Sequence, residues 1–203
     1  MSLYPNQTRK RHMTTQHSAA RLQPVSRKGE RLSDRELSRR FDLLTEEART
    51  ALERGDIPDL SPLCLDLYQS VMAQPEPNTV VPFIPLVKQV RVLDEADTVR
   101  YFRQDTGGLN LVLNEKLRVA LIYWHPGQRI DIHGHARGGC VLKVLQGKLL
   151  EKRYSPETEP RLLAVSTYHR GAMAYIDDDM AWHAVENPYR KPAISLHVYT
   201  PGM

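Results

Sequence analysis

From Pro75 onward the chain is punctuated by short β-branched and aliphatic runs, separated by turn residues at close spacing. The runs cover residues 88–92, 98–103, 109–114, 117–124, 141–145, 148–154, 161–166, 172–176 and 193–199, with Pro126-Gly127 and Gln146-Gly147 among the turns. Many short strands so spaced predict a sandwich or a closed barrel. The pattern ahead of them is helical. Ser33-Asp34-Arg35-Glu36 reads as a capping box, Leu37, Phe41, Leu44, Ala48 and Leu52 recur at helical spacing, and Gly55 supplies the stop. Ser61-Pro62 opens a second, shorter helix with Leu63, Leu67 and Val71 on one face. These two helices are expected to pack on a core and to carry no chemistry. Residues 1–31 show almost no apolar periodicity and are expected to be disordered. The predicted organisation is a basic tail over 1–31 and one domain over 32–203, with helices in 33–73 and an all-β remainder.

Composition narrows the function classes. A chain of 203 residues, 41% hydrophobic and 26% charged, fits a single soluble domain with a sizeable core. No apolar run reaches the roughly 18 residues needed to cross a bilayer, and no signal-peptide core follows Met1, so a cytoplasmic protein is expected. The pI near 9.1 comes from the tail. Residues 1–31 hold seven basic side chains against Glu30, leaving 21 basic and 23 acidic side chains for the other 172 residues. The body lacks a basic footprint, which argues against nucleic acid as a partner. The Arg-rich, acid-poor tail also fits a mitochondrial transit peptide as the alternative to plain disorder. Cys64 and Cys140 lie far apart in sequence; a chain this size does not need a disulfide between them, and Cys64 is expected in the core.

His133-Gly134-His135 is the centre of the chemistry. On a strand, residues two apart point to one face, so both imidazoles would enter one barrel interior. Imidazole suits iron, zinc, copper and nickel. Alone the signal is weak, because such a pair beside glycine is more often a solvated turn. His125 and His169 read as loop residues, and His12 and His17 lie in the tail. The wider spacing changes the picture. Gly127, five residues, His133-x-His135, four residues, Cys140, six residues and Gly147 reproduce the first cupin motif, with cysteine where most cupins place glutamate. Gly171 is followed after eleven residues by His183, then three residues and Asn187, which resembles the second cupin motif and its ligand from another strand.

The chain resembles the cysteine dioxygenase family over roughly residues 98–201. The resemblance rests on Tyr101-Phe102-Arg103, the His133-x-His135-x4-Cys140 block, Leu142-Lys143-x-Leu145-Gln146-Gly147, Ala174-Tyr175-Ile176, His183-x-Val185-Glu186-Asn187 and Ser195-Leu196-His197-x-Tyr199. It implies an all-β cupin barrel, here preceded by two α-helices, and one Fe(II) per chain held by His133, His135 and His183. It further implies that Arg103 binds the substrate carboxylate with Tyr101 beside it, that Cys140 and Tyr199 form a thioether, and that Ser195 and His197 support them. The implied reaction is oxidation of L-cysteine by O2 to cysteine sulfinic acid, a step of cysteine catabolism, in a monomer.

The ligand chemistry agrees with that implication. Most non-haem iron oxygenases use two histidines and a carboxylate. Without glutamate at position 140 three neutral ligands leave the full 2+ charge, which favours an anionic thiolate. Cysteine would bind through sulfur and amine, with its carboxylate on the planar fork of Arg103. One alternative is a thiol dioxygenase for a mercapto acid such as 3-mercaptopropionate; those relatives carry glutamine for the arginine and lack the cysteine, so Arg103 and Cys140 favour L-cysteine. Another is a non-catalytic cupin binding module, which would need no metal triad. A three-histidine set also accepts zinc. Asp177-Asp178-Asp179 is expected to be a solvated turn.

Overall fold

The computed structural model describes residues 39, 42–75, 78–135 and 137–200. The tail over 1–31 and the expected helix start at Ser33, with Leu37 and Phe41, lie outside them. The first helix with described ends is α1 (Glu46–Arg54). The continuous helix expected through Leu44 and Ala48 is instead interrupted at Thr45, whose backbone is extended (φ −61°, ψ 156°). Its hydroxyl accepts from Ala48 N at 3.1 Å and donates to Asn110 O at 2.7 Å, while its own N–H reaches Leu111 O at 2.9 Å. Bonds to a strand outcompete helix continuation, and Thr45 becomes an N-cap. Gly55 ends α1 in the left-handed conformation (φ 70°), as its position predicts.

The second expected helix is α2 (Ser61–Met72), with Cys64, Leu67 and Val71 buried. A 3-10 turn (Val81–Phe83) leads into α3 (Ile84–Gln89), and α4 (Glu95–Tyr101) follows. Residues 88–92 and 98–103 are therefore not strands. Asp94 and Asp97 cap each other reciprocally at the start of α4, and that local pair overrides the β-branched Thr98 and Val99. Val99 is 88% exposed, so no packing required a strand there.

Nine strands follow among the described residues: β1 (Gly108–Leu113), β2 (Arg118–Trp124), β3 (Arg129–His133), β4 (Cys140–Gln146), β5 (Lys148–Tyr154), β6 (Leu162–His169), β7 (Met173–Ile176), β8 (Trp182–Glu186) and β9 (Ala193–Tyr199). They form antiparallel sheets of order β1-β2-β9-β4-β7 and β3-β8-β5-β6. This is the cupin double-stranded β-helix. At Gly147 (φ 77°), between β4 and β5, an added Cβ would lie 2.7 Å from both the Ala193 Cβ and the Pro192 carbonyl, so only glycine makes this turn.

Strand alternation sorts the five-stranded sheet into two faces. Val119, Leu121, Tyr123, Val141, Leu145, Ile194, Leu196 and Val198 pack with α1, α2 and α3. Trp124, Leu142, Val144, Ala174 and Ala193 point the other way and meet Leu149 and Val185 of the second sheet. Lys143 belongs to the helix side. Buried at 4% exposure, its ammonium donates to Val87 O (3.3 Å), Lys88 O (2.7 Å) and Val90 O (2.7 Å), carbonyls at the C-terminal end of α3, of which Val87 O also accepts from Val90 N. No described helix is long and apolar enough to cross a membrane.

Candidate metal centre

Adjacent strands of the smaller sheet bring two histidines together. β3 pairs with β8, and after a register shift His133 stands opposite His183. His135 lies just beyond the end of β3, where its backbone N–H is held by the Asp178 carboxylate. Gly134 is required at that crossing: a Cβ there would collide with Asp178 and come within 3.0 Å of the Trp182 ring. The segment 177–179 is a turn, as expected, yet Asp178 also anchors the backbone of a candidate ligand. The ring centroids are 5.0 Å (His133–His135), 4.7 Å (His133–His183) and 4.8 Å (His135–His183) apart. One ligand atom from each lies within 4.8 Å of the others.

The ring nitrogens are oriented. His133 Nδ1 faces Asp131 O at 2.8 Å, and His183 Nδ1 faces the Glu151 carboxylate at 2.7 Å. Each Nδ1 therefore carries the proton and each Nε2 keeps its lone pair. His135 Nε2 stands 2.9 Å from His183 Nε2. Two nitrogens bound to one ion at about 2.1 Å and a right angle are about 3 Å apart. That separation fits two imidazole nitrogens on one ion, and His133 completes a three-nitrogen donor set. Burial lowers the pKa of His133, and burial with the neighbouring rings takes His135 down to about 3, so both are neutral ligands at ordinary pH.

Glu151 was not singled out from the sequence. On β5 it shares the inward face with Leu149 and is 2% exposed. Burial alone would raise its carboxyl, but hydrogen bonds from His183, Arg153 and Tyr168 hold it down to about 2. Arg153 Nε and the Tyr168 hydroxyl each donate to it at 2.8 Å. The available signal was a glutamate at an inward position of a predicted strand, two residues after an inward leucine.

Tyr199, His197 and Ser195 lie on β9, on the face turned toward the histidines. The Tyr199 ring is 5.6 Å from the His135 ring. Cys140 stands opposite Tyr199 in the β4–β9 ladder, and its thiol is within hydrogen-bonding reach of the Tyr199 hydroxyl. Burial pushes Cys140 up to about 12 and raises Tyr199 well above its ordinary value, so both are protonated. Trp124 Nε1 donates to Ser195 Oγ (2.7 Å), Ser195 Oγ meets His197 Nε2 (2.8 Å), and His197 Nδ1 meets the Tyr199 hydroxyl (3.1 Å). An indole N–H only donates, so the Ser195 hydrogen turns to His197 Nε2, and His197 Nδ1–H donates to Tyr199. That leaves the Tyr199 hydrogen to point to the Cys140 sulfur or to a group bound above it. Burial lowers His197 to about 3 and keeps it neutral.

Arg103 and Tyr101 are not brought to this cluster. The expected strand that would aim them inward is α4 and its C-terminal exit. Arg103 is ion-paired with Asp105 (3.2 Å) and Glu47 (3.9 Å), and it feels Tyr123, which β2 directs toward the helices. Tyr101 packs against the helix-side core with Arg100 5.3 Å over its ring. The five-stranded sheet stands between both residues and the histidines. His125 packs edge-on against Phe102 at 5.0 Å.

A cupin barrel enclosing an oriented three-histidine cluster defines the class: a metal-binding cupin. Residues 83–203 match the family model described as cysteine dioxygenase type I, and the chain belongs to that family. It is 34% identical over 96 residues to "Cysteine dioxygenase type 1" of Danio rerio, covering 43% of this chain and 47% of the relative. The Rattus norvegicus protein of the same name is 34% identical over 93 residues, covering 43% and 46%. The match thus spans about half the length of these relatives. Among solved structures, a Klebsiella pneumoniae protein with a double-stranded β-helix domain is similar at 21% identity and TM-score 0.41, covering 56% of this chain and 87% of that one.

Proposed function

We propose that this chain is an iron-dependent thiol dioxygenase that converts L-cysteine to cysteine sulfinic acid. The observation that carries the reading is the three-histidine cluster beside Tyr199 and Cys140, in a chain of the cysteine dioxygenase type I family. His133, His135 and His183 would hold one Fe(II), which when bound supplies the redox chemistry that joins O2 to a thiolate sulfur. The balance is RSH + O2 giving RSO2H, with both oxygens ending on sulfur and no outside reductant. Three neutral ligands leave the cation uncompensated, and that charge draws a thiolate in preference to a thiol. Glu151 fixes the His183 ring and offsets part of the charge through it. Tyr199, oriented by His197 and Ser195, presents its hydroxyl hydrogen to the bound substrate. Cys140 and Tyr199 are the pair that would form a thioether.

The test is oxygen uptake by anaerobically iron-loaded protein given L-cysteine, with product analysis. One sulfinate formed per O2 consumed is expected. Uptake that yields only cystine and hydrogen peroxide, or no uptake, would overturn the reading.

A further inference from the structure

We infer that Arg118, held by Asn110 and lying over Tyr199, is the group that binds the carboxylate of the substrate; the inference rests on the thiol dioxygenase reading above. The sheet register carries it. Arg118 of β2 stands opposite Tyr199 of β9, which stands opposite Cys140 of β4, which stands opposite Ile176 of β7. Residues directly opposite in antiparallel ladders share a face. Arg118 therefore belongs to the inward row of Tyr199 and Cys140, one row from His197 and Ala120. It starts the alternation that continues through Ala120 and Ile122 to the inward Trp124.

The local geometry leaves this arginine ready for a ligand. Its Nε donates to Asn110 Oδ1 at 2.9 Å, and its guanidinium carbon lies 5.2 Å from the centre of the Tyr199 ring. Those two contacts fix the plane of the fork and leave both terminal nitrogens without a carboxylate among the described residues. Arg103, by contrast, is spent on Asp105 and Glu47. Arg118 also acts electrostatically on Cys140, Tyr199 and His197, all on the inward face. A half-buried guanidinium aimed beside a cationic centre needs an anion to offset it. An amino acid bound through its sulfur would bring one, and the Tyr199 ring lies between Arg118 and His135, so the terminal nitrogens are placed to receive its carboxylate as a fork.

Two readouts test this. Anaerobic calorimetry on iron-loaded protein compares L-cysteine with cysteamine, which has the thiol and amine but no carboxylate. Steady-state kinetics with the same pair follow. Arg118→Ala should weaken cysteine binding and lower its kcat/KM by about 30-fold or more, and change cysteamine by less than about threefold. Asn110→Asp supplies a carboxylate that occupies the fork, and should show the same selectivity with the arginine still in place. Arg103→Ala should leave the ratio of the two thiols unchanged. Equal losses for both thiols in Arg118→Ala and Asn110→Asp, or a selective cysteine loss in Arg103→Ala, would overturn the inference. Turnover by the unmutated protein tests the dioxygenase reading separately; binding tests Arg118 even where turnover fails.

Discussion

An imidazole binds a metal only where no proton occupies its lone pair, and each candidate ligand here meets that condition by a different route. His183 is oriented by Glu151, His133 by a backbone carbonyl, and His135 is stripped of its basicity by burial. Alanine at His133, His135 or His183 should each abolish retention of iron through gel filtration, whereas His125→Ala and His169→Ala should retain it. A His183→Ala protein that keeps a full equivalent would refute the cluster as the binding site. Glu151→Gln keeps the shape but loses the charge, so iron affinity should fall about 10–100-fold with the three imidazoles intact. A chelator competition measures it. The Cys140–Tyr199 pair gives a covalent readout: after turnover with iron, O2 and cysteine, peptide mapping should find the two peptides joined with the loss of two hydrogens. Only free Cys140 after prolonged turnover would rule the bond out.

At the scale of elements, the sequence was most legible where a motif and a periodicity agreed. The His133-x-His135 spacing marked one face because β3 does run into it, although neither β3 nor β8 stood out as a strand. Both are five residues long, and β3 is largely exposed, so they lack the longer, mostly buried runs that made β2, β4 and β9 plain. The misread elements share a cause. Segment 98–103 has β-branched residues, but the Asp94–Asp97 cap lies outside that window and decides the outcome. Tyr101 and Arg103 followed it to the helix side. Arg118 was hidden at the first residue of a strand, where a charge ordinarily means the surface. Burial of Lys143 was equally illegible, because its partners are carbonyls freed by a helix more than fifty residues earlier. Lys143→Met keeps the stem but removes the donor. It should lower stability by about 1–3 kcal/mol in urea unfolding without changing the affinity for iron. A loss of iron affinity alongside stability would mean that the two faces of β4 are not independent.

Across the whole molecule, helices seal one face of the larger sheet while the other face closes over the metal cluster, so the ionisable groups of the site are stored in the core. That arrangement has a measurable consequence in the metal-free protein. His135 and His197 are each lowered to about 3 by burial, against roughly 6.5 in an unfolded chain. Between those values the unfolded chain binds a proton at each position and the folded chain does not, so stability rises with pH there. It is complete above about pH 6.5 and is lost as pH falls toward 3, by up to about 1.4 kcal/mol per pH unit for each histidine. Glu151 adds the same sign lower down: its folded value of about 2 lies below the usual carboxyl range, so its contribution is present above about pH 4.5 and is lost on further acidification. Urea unfolding of metal-free protein at pH 7, 6 and 5 should show a falling midpoint, and His197→Gln should remove part of the slope between pH 6 and 5. Iron at saturating concentration near pH 7 should raise the melting temperature, because it binds only the folded cluster. A midpoint independent of pH from 7 to 5 would mean that the histidines are not buried as neutral groups, and that the cavity admits water and protons when the metal leaves.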